Sequence, residues 1–147
     1  MSNFRERHVS KTIAKASISK ETAQKLLAAA EKAAADMGVP MCIAVCDESG
    51  ILKAFVRMDG AALLSVDIAQ NKAYTAISFG MPTHGWFDFI KNDPPLLHGI
   101  THTPRLVVFG GGYPVEIDGQ VVGGIGVSGG HYSQDMKVAE AALKAIA

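Results

Sequence analysis

Apolar and polar positions alternate along the chain in two rhythms, one helical and one extended, with glycine, proline and turn residues between them. From Lys20 to Met37, Ala23, Leu26, Leu27, Ala30 and Ala34 recur on one helical face. Ser19 precedes them as an N-cap, Glu21 complements the helix dipole in the first turn, and Gly38 and Pro40 end the run. A second face, Val66, Ala69, Ala73, Ala76 and Ile77, predicts a helix from Ser65 to Phe79, stopped by Gly80 and Pro82. Thr83 as a cap predicts a short helix over His84 to Lys91, terminated by Pro94 and Pro95. Leu96 to Pro104 reads as loop. A last helix is expected from about Ser133 to Ala145, with Met136, Ala139, Leu143 and Ile146 inward.

The extended rhythm comes between these helices. Met41 to Cys46 is apolar on both faces, as a central strand should be, and Asp47-Glu48-Ser49-Gly50 turns it back into a strand over Ile51 to Met58. Arg105 to Phe109 predicts a further short strand running into Gly110-Gly111-Gly112. Tyr113 to Ile117 and Gln120 to Ser128 flank Asp118-Gly119, the signal of a type I′ hairpin. Residues 1–18 show no period and read as an arm or short extra element, which leaves 19–147 as one domain.

Composition narrows the class. With 48% apolar and 19% charged residues, the 147-residue chain can bury a core without staples. Its 14 basic and 14 acidic side chains balance, so there is no electrostatic footprint for nucleic acid or an anionic membrane. The N-terminal stretch has charges but no apolar signal region, and a cytoplasmic location is the expectation. Cys42 and Cys46 share one strand, roughly 13 Å apart, too far to bridge, and read as buried thiols of a reducing compartment.

Gly124, Gly126 and Gly129 satisfy the G-x-G-x-x-G spacing of a dinucleotide turn. Such a turn needs its first glycine after a strand, within a βαβ unit. Here Gly124 and Gly126 fall inside a predicted strand, and the 18 residues after Gly129 provide one helix with no second parallel strand. NAD and FAD are therefore not expected. Two glycines on one strand face instead invite close approach of a helix, a ligand or a neighbouring subunit. Gly129 and Gly130 suit a strand-to-helix turn whose free N–H groups could receive an anion.

The segments DESGILKAFVRMDGA (47–61), SVDIAQNKAYTA (65–76), GGGYPV (110–115) and DGQVVGGIGVSGGHYSQD (118–135) resemble, in order and separation, those of the GlcG/HbpS family. The resemblance implies an α/β (α+β) profilin-like sandwich, an antiparallel sheet of about five strands with helices on both faces, and homo-oligomers. Its relatives include haem-binding sensors, a domain attached to corrinoid adenosyltransferases, and small proteins of catabolic operons. No axial haem ligand follows from it.

Candidate chemistry gathers in the same segments. His131, at the start of the last helix, reads as acid–base group, haem ligand, substrate donor or simple first-turn residue. Arg57 and Lys72 could hold a carboxylate, or Arg57 could pair with Asp59 or Asp67. His98 and His102 read as incidental loop histidines, and no metal site is expected. His84 stands beside Trp86, Phe87 and Phe89, which could wall a flat ligand or simply belong to the core. The expected pocket joins Gly110, Gly111 and Gly112 with Ser128, Gly129, Gly130 and His131, and with Arg57 and Lys72. Its expected role is that of an oligomeric small-ligand binding protein accessory to a catabolic pathway, with haem or another planar, carboxylate-bearing molecule as ligand. The alternative is an enzyme transferring protons on a small carboxylic or aromatic acid, with His131 as base.

Overall fold

The structure is a computed structural model that describes residues 9–147. Its elements are α1 (Lys20–Met37), β1 (Cys42–Asp47), β2 (Leu52–Arg57), α2 (Ser65–Phe79), α3 (Trp86–Ile90), α4 (Pro94–Gly99), β3 (Gly112–Ile117), β4 (Gln120–Ser128) and α5 (Tyr132–Ala145). Of the expected arm, residues 1–8 lie outside the described residues, and 9–17 carry neither helix nor strand. Ile18 pins the arm to the domain: its side chain is buried and its N–H donates to the Val122 carbonyl at 3.0 Å.

The strands form an antiparallel sheet in the order β2-β1-β4-β3. Helices α1 and α5 pack together across one face, while α2 crosses the other. β1 is buried on both sides, which explains its unbroken apolar run. Ile43 and Val45 point with Ile125 and Val127 into the core under α1 and α5, whereas Cys42, Ala44 and Cys46 face Ala69 and Ala73 of α2. Ser19 caps α1 as expected, accepting from the Thr22 N–H at 3.1 Å. Asp118 and Gly119 both take positive φ, as a type I′ hairpin turn requires.

Four strands are present among the described residues, not five. The stretch expected as a strand, Arg105 to Phe109, is irregular. Arg105 sits at φ 66, and the Thr75 hydroxyl both donates to the Arg105 carbonyl (2.9 Å) and accepts from the Val107 N–H (3.0 Å). A side chain of α2 thus takes the backbone groups that a sheet partner would have used. The expected loop at Leu96 to Pro104 is also different: Pro94 and Pro95 occupy the first turn of α4, where proline is tolerated, and Ile100–His102 continues as a 3₁₀ turn. His98 and His102 lie on this helical stretch. Thr83 does not cap a helix; its hydroxyl accepts from the Gly112 N–H at 2.9 Å and opens a 3₁₀ turn before α3.

The inner face of α5 is Asp135, Val138, Ala139 and Ala142, rotated from the expected set, of which only Ala139 is fully buried. Met136, Leu143 and Ile146 are half-buried beside it. The buried stripe contains a carboxylate, and an apolar count passes over it.

Two of the three glycines that match the dinucleotide spacing, Gly124 and Gly126, lie within β4, and α2 fills the face they leave bare. A methyl group on Gly126 would run into the Ala69 carbonyl and lie 2.6 Å from the Ala73 nitrogen, both backbone atoms of α2. The close partner is therefore a helix of the same chain, not a neighbouring subunit. Gly126→Ala is expected to cost roughly 3 kcal/mol, the upper part of the overpacking range. Gly99→Ala, where the added carbon meets open space, should stay within about 0.5 kcal/mol of the native protein. Urea unfolding of both variants checks this, and equal stabilities would refute the account of how α2 is seated.

Candidate functional site

Where β4 ends, two charged side chains meet inside the protein. Lys72 projects from α2 and Asp135 from the first turn of α5, and their Nζ and Oδ2 atoms lie 2.8 Å apart, both essentially inaccessible to water. The sequence places each in phase with the buried stripe of its own helix. The Lys72 ammonium also donates to the Val127 carbonyl at 2.8 Å, and Asp135 Oδ1 accepts from the Gly130 N–H at 3.0 Å. Burial pushes the Lys72 amine below its ordinary pKa and the Asp135 carboxyl above its own, each against the pull of its partner.

Gly111 comes close to this pair. A side chain there would meet Lys72 Nζ and the Val127 carbonyl, both at 2.6 Å, and its φ of 123° is one that side chains rarely adopt. The segment before it places the Phe109 ring with its centroid 5.1 Å from Lys72 Nζ, within cation–π reach. The buried ammonium therefore holds the end of β4, the turn into α5 and the Phe109 ring.

Outside the pair lies a groove of about 360 Å³, lined by His84, Phe87, Asp88, Val108, Phe109, Gly110 and Tyr132. That size suits a small-molecule site. Phe87, Phe109 and Tyr132 are all exposed, so the groove presents aromatic surface to solvent. The His84 ring makes no hydrogen bond among the described residues and rests against Tyr113, centroid to centroid 5.5 Å. Tyr113 is in turn fixed by donating to Glu140 Oε1 at 2.7 Å.

The structure thus gathers Lys72, Gly110 to Gly112 and Ser128 to Gly130 around the end of β4. Arg57 ends β2 at the same end of the sheet, across Cys42 from Ser128, but opens with Met58 and Asp59 onto a separate cleft of about 720 Å³ between α1 and β2. Among the described residues it forms no ion pair with Asp59 or Asp67. His131 is the N-cap of α5, its Nδ1 accepting from the Ser133 N–H at 3.2 Å while Gln134 Oε1 accepts from the His131 N–H at 3.0 Å. These capping bonds and Asp135 take up donors of the turn that an anion would have used. Burial pushes the Cys46 thiol up to about 11, away from the reactive thiolate.

His84, Phe87, Asp88, Val108, Phe109 and Tyr132 were not among the expected site residues. The aromatic cluster around His84 was the only hint in the sequence. The phase of Lys72 and Asp135 within their helices is a signal that could have found the pair beneath the groove.

Removing one member of a buried pair leaves the other unpaired. Lys72→Met is expected to cost roughly 3–5 kcal/mol at neutral pH. In that variant the Asp135 carboxyl loses its restraining charge and its folded-state pKa rises further. A raised carboxyl pKa favours folding at acid pH, a contribution lost as pH climbs through the folded value. The deficit should therefore shrink as pH falls toward about 4. Lys72→Met combined with Asp135→Leu should recover most of the loss. Denaturant unfolding of native, single and double variants measures these effects, and a deficit that grows on acidification would contradict them.

The comparisons with known proteins agree with this architecture. The family model described as haem degrading protein HbpS-like matches residues 18–144. An uncharacterized 15.0 kDa protein in the dhaT–dhaS intergenic region of Citrobacter freundii is 41% identical over 130 residues, spanning 87% of this chain and 91% of that protein. The corrinoid adenosyltransferase PduO of Salmonella typhimurium is 36% identical over 123 residues; the match takes in 83% of this chain but 37% of the enzyme. The crystal structure of a PduOC–haem complex superposes with a TM-score of 0.81 at 35% identity, covering 88% of this chain and 94% of that one. The chain belongs to the HbpS-like family.

Proposed function

We propose that this protein binds haem, or a planar carboxylate-bearing molecule like it, in the groove between α3, the 108–110 segment and the start of α5. The observation that carries the reading is the groove itself, where three exposed aromatic rings and a histidine without a hydrogen-bond partner among the described residues surround an open slot. A solved relative in complex with haem supports it. The residues fit such a group: flat rings stack on a macrocycle, and imidazole is an iron donor. Bound haem would supply an iron centre that accepts nitrogen donors. Phe87, Phe109 and Tyr132 would exclude water from its faces. Lys91, held by Asp88 at 3.0 Å at the groove margin, offers a cation to a carboxylate. That exposed pair is weak enough to change partners.

Titration of the purified protein with ferric haem, followed by absorbance, should show saturable binding. Phe109→Ala should weaken it by roughly 0.5–1.5 kcal/mol, the worth of an aromatic stack beyond its buried area. Arg57→Ala should leave it unchanged. Binding lost in Arg57→Ala but insensitive to Phe109→Ala would move the site to the other cleft.

The working form we propose is a homo-oligomer in the cytoplasm, accessory to a catabolic pathway. Two unpaired, buried thiols suit a reducing compartment. For assembly the surface offers Phe79 and Phe89, 63% and 66% exposed, on either side of the buried Trp86 ring. The Trp86 Nε1 is buried without an acceptor among the described residues. An apolar patch of this kind favours association. Sedimentation velocity at tens of micromolar should show a species larger than the 15.5 kDa chain. Phe79→Ser with Phe89→Ser should shift it to monomer, and a monomeric native protein would refute the assembly.

A further inference from the structure

We infer that His84 is the residue that ligates the iron of a haem bound in the groove; the inference rests on the haem-binding reading above. The chain has five histidines, and His8 lies outside the described residues. His98 and His102 sit on the α4 segment and line no part of the groove. His131 spends Nδ1 on the cap of α5 and stacks on Tyr132 with centroids 4.1 Å apart. His84 alone among the described histidines lines the groove with a ring free of hydrogen bonds to the described residues.

Its backbone is also held in place. Thr83, immediately before it, is fully buried and bonded to Gly112, and Trp86, two residues on, is 3% exposed. The ring leans on Tyr113, which Glu140 fixes from α5. At Gly110 a side chain would run into the thioether of Met136 and come within 3.3 Å of the His84 Cβ, so glycine lets Met136 pack against the base of His84. A donor anchored by its neighbours on both sides and unpaired at its tip is preorganised for a metal, because little freedom remains to be lost on binding.

The test compares two probes, ferric haem and iron-free protoporphyrin IX, on native protein, His84→Ala and His84→Gly. Native protein should give the absorbance and electron paramagnetic resonance signature of nitrogen-ligated iron. His84→Ala should lose that signature and weaken haem binding by at least the roughly 10–100-fold that disturbing even an outer-sphere partner costs a metal site. Its affinity for protoporphyrin IX should stay at the native value, which also shows that the groove is still folded. Added imidazole should restore the signature in His84→Gly. Haem that binds His84→Ala with an unchanged iron spectrum would overturn the ligand assignment while leaving the haem-binding reading intact. Native protein that takes up neither probe would overturn both.

Discussion

The ammonium of Lys72 and the carboxylate of Asp135 join the two sides of the sheet at one point, because α2 packs on one face and α5 on the other. Neither group is well served by burial alone, as the directions of their shifted pKa values show. An apolar pair of similar volume would satisfy the core at no greater cost. The ion pair adds direction. One ammonium orients the Val127 carbonyl, the Asp135 side chain and the face of Phe109, while the carboxylate anchors the Gly130 N–H. The Phe109 wall of the groove and the turn into α5 therefore meet at the same 2.8 Å contact.

That contact is possible because the backbone of α2 packs directly against β4. Gly124 and Gly126 remove the side chains that would hold it off, and Ala69 and Ala73 do the same from the helix side. At that depth the long arm of Lys72 reaches past the end of β4 to Asp135. The thin layer on this face contrasts with the other, where Leu26, Ile43, Ile125 and Val138 build a thicker core under α1 and α5. The bulk of the hydrophobic stabilisation belongs to the second face, and the close helix-to-sheet approach to the first.

Much of this architecture was legible along the chain. Ser19 with Gly38, and the alanine phase of 65–79, fixed two helices to their observed ends, because caps and periodicity are local properties. Asp118-Gly119 fixed a hairpin for the same reason. Arg105 to Phe109 misled because its polar groups are satisfied by Thr75, thirty residues earlier. The prolines at 94 and 95 read as a stop but begin a helix. The candidate site was half visible. Lys72 and the glycines around it were marked by their segments, but Arg57, at the same end of the sheet, opens onto a different cleft. His84, Phe109 and Tyr132 come from three separated stretches, and only the fold brings them to one groove.

The central claim is that this aromatic groove, resting on the buried pair, is where a flat ligand binds. A titration of isotope-labelled protein with iron-free protoporphyrin IX, read by amide nuclear magnetic resonance, locates the ligand through the ring-current shifts it causes. The account predicts that the largest shifts fall on Phe87, Val108, Gly110 and Tyr132. Shifts concentrated on Val56 to Asp59, beside Arg57, would contradict it.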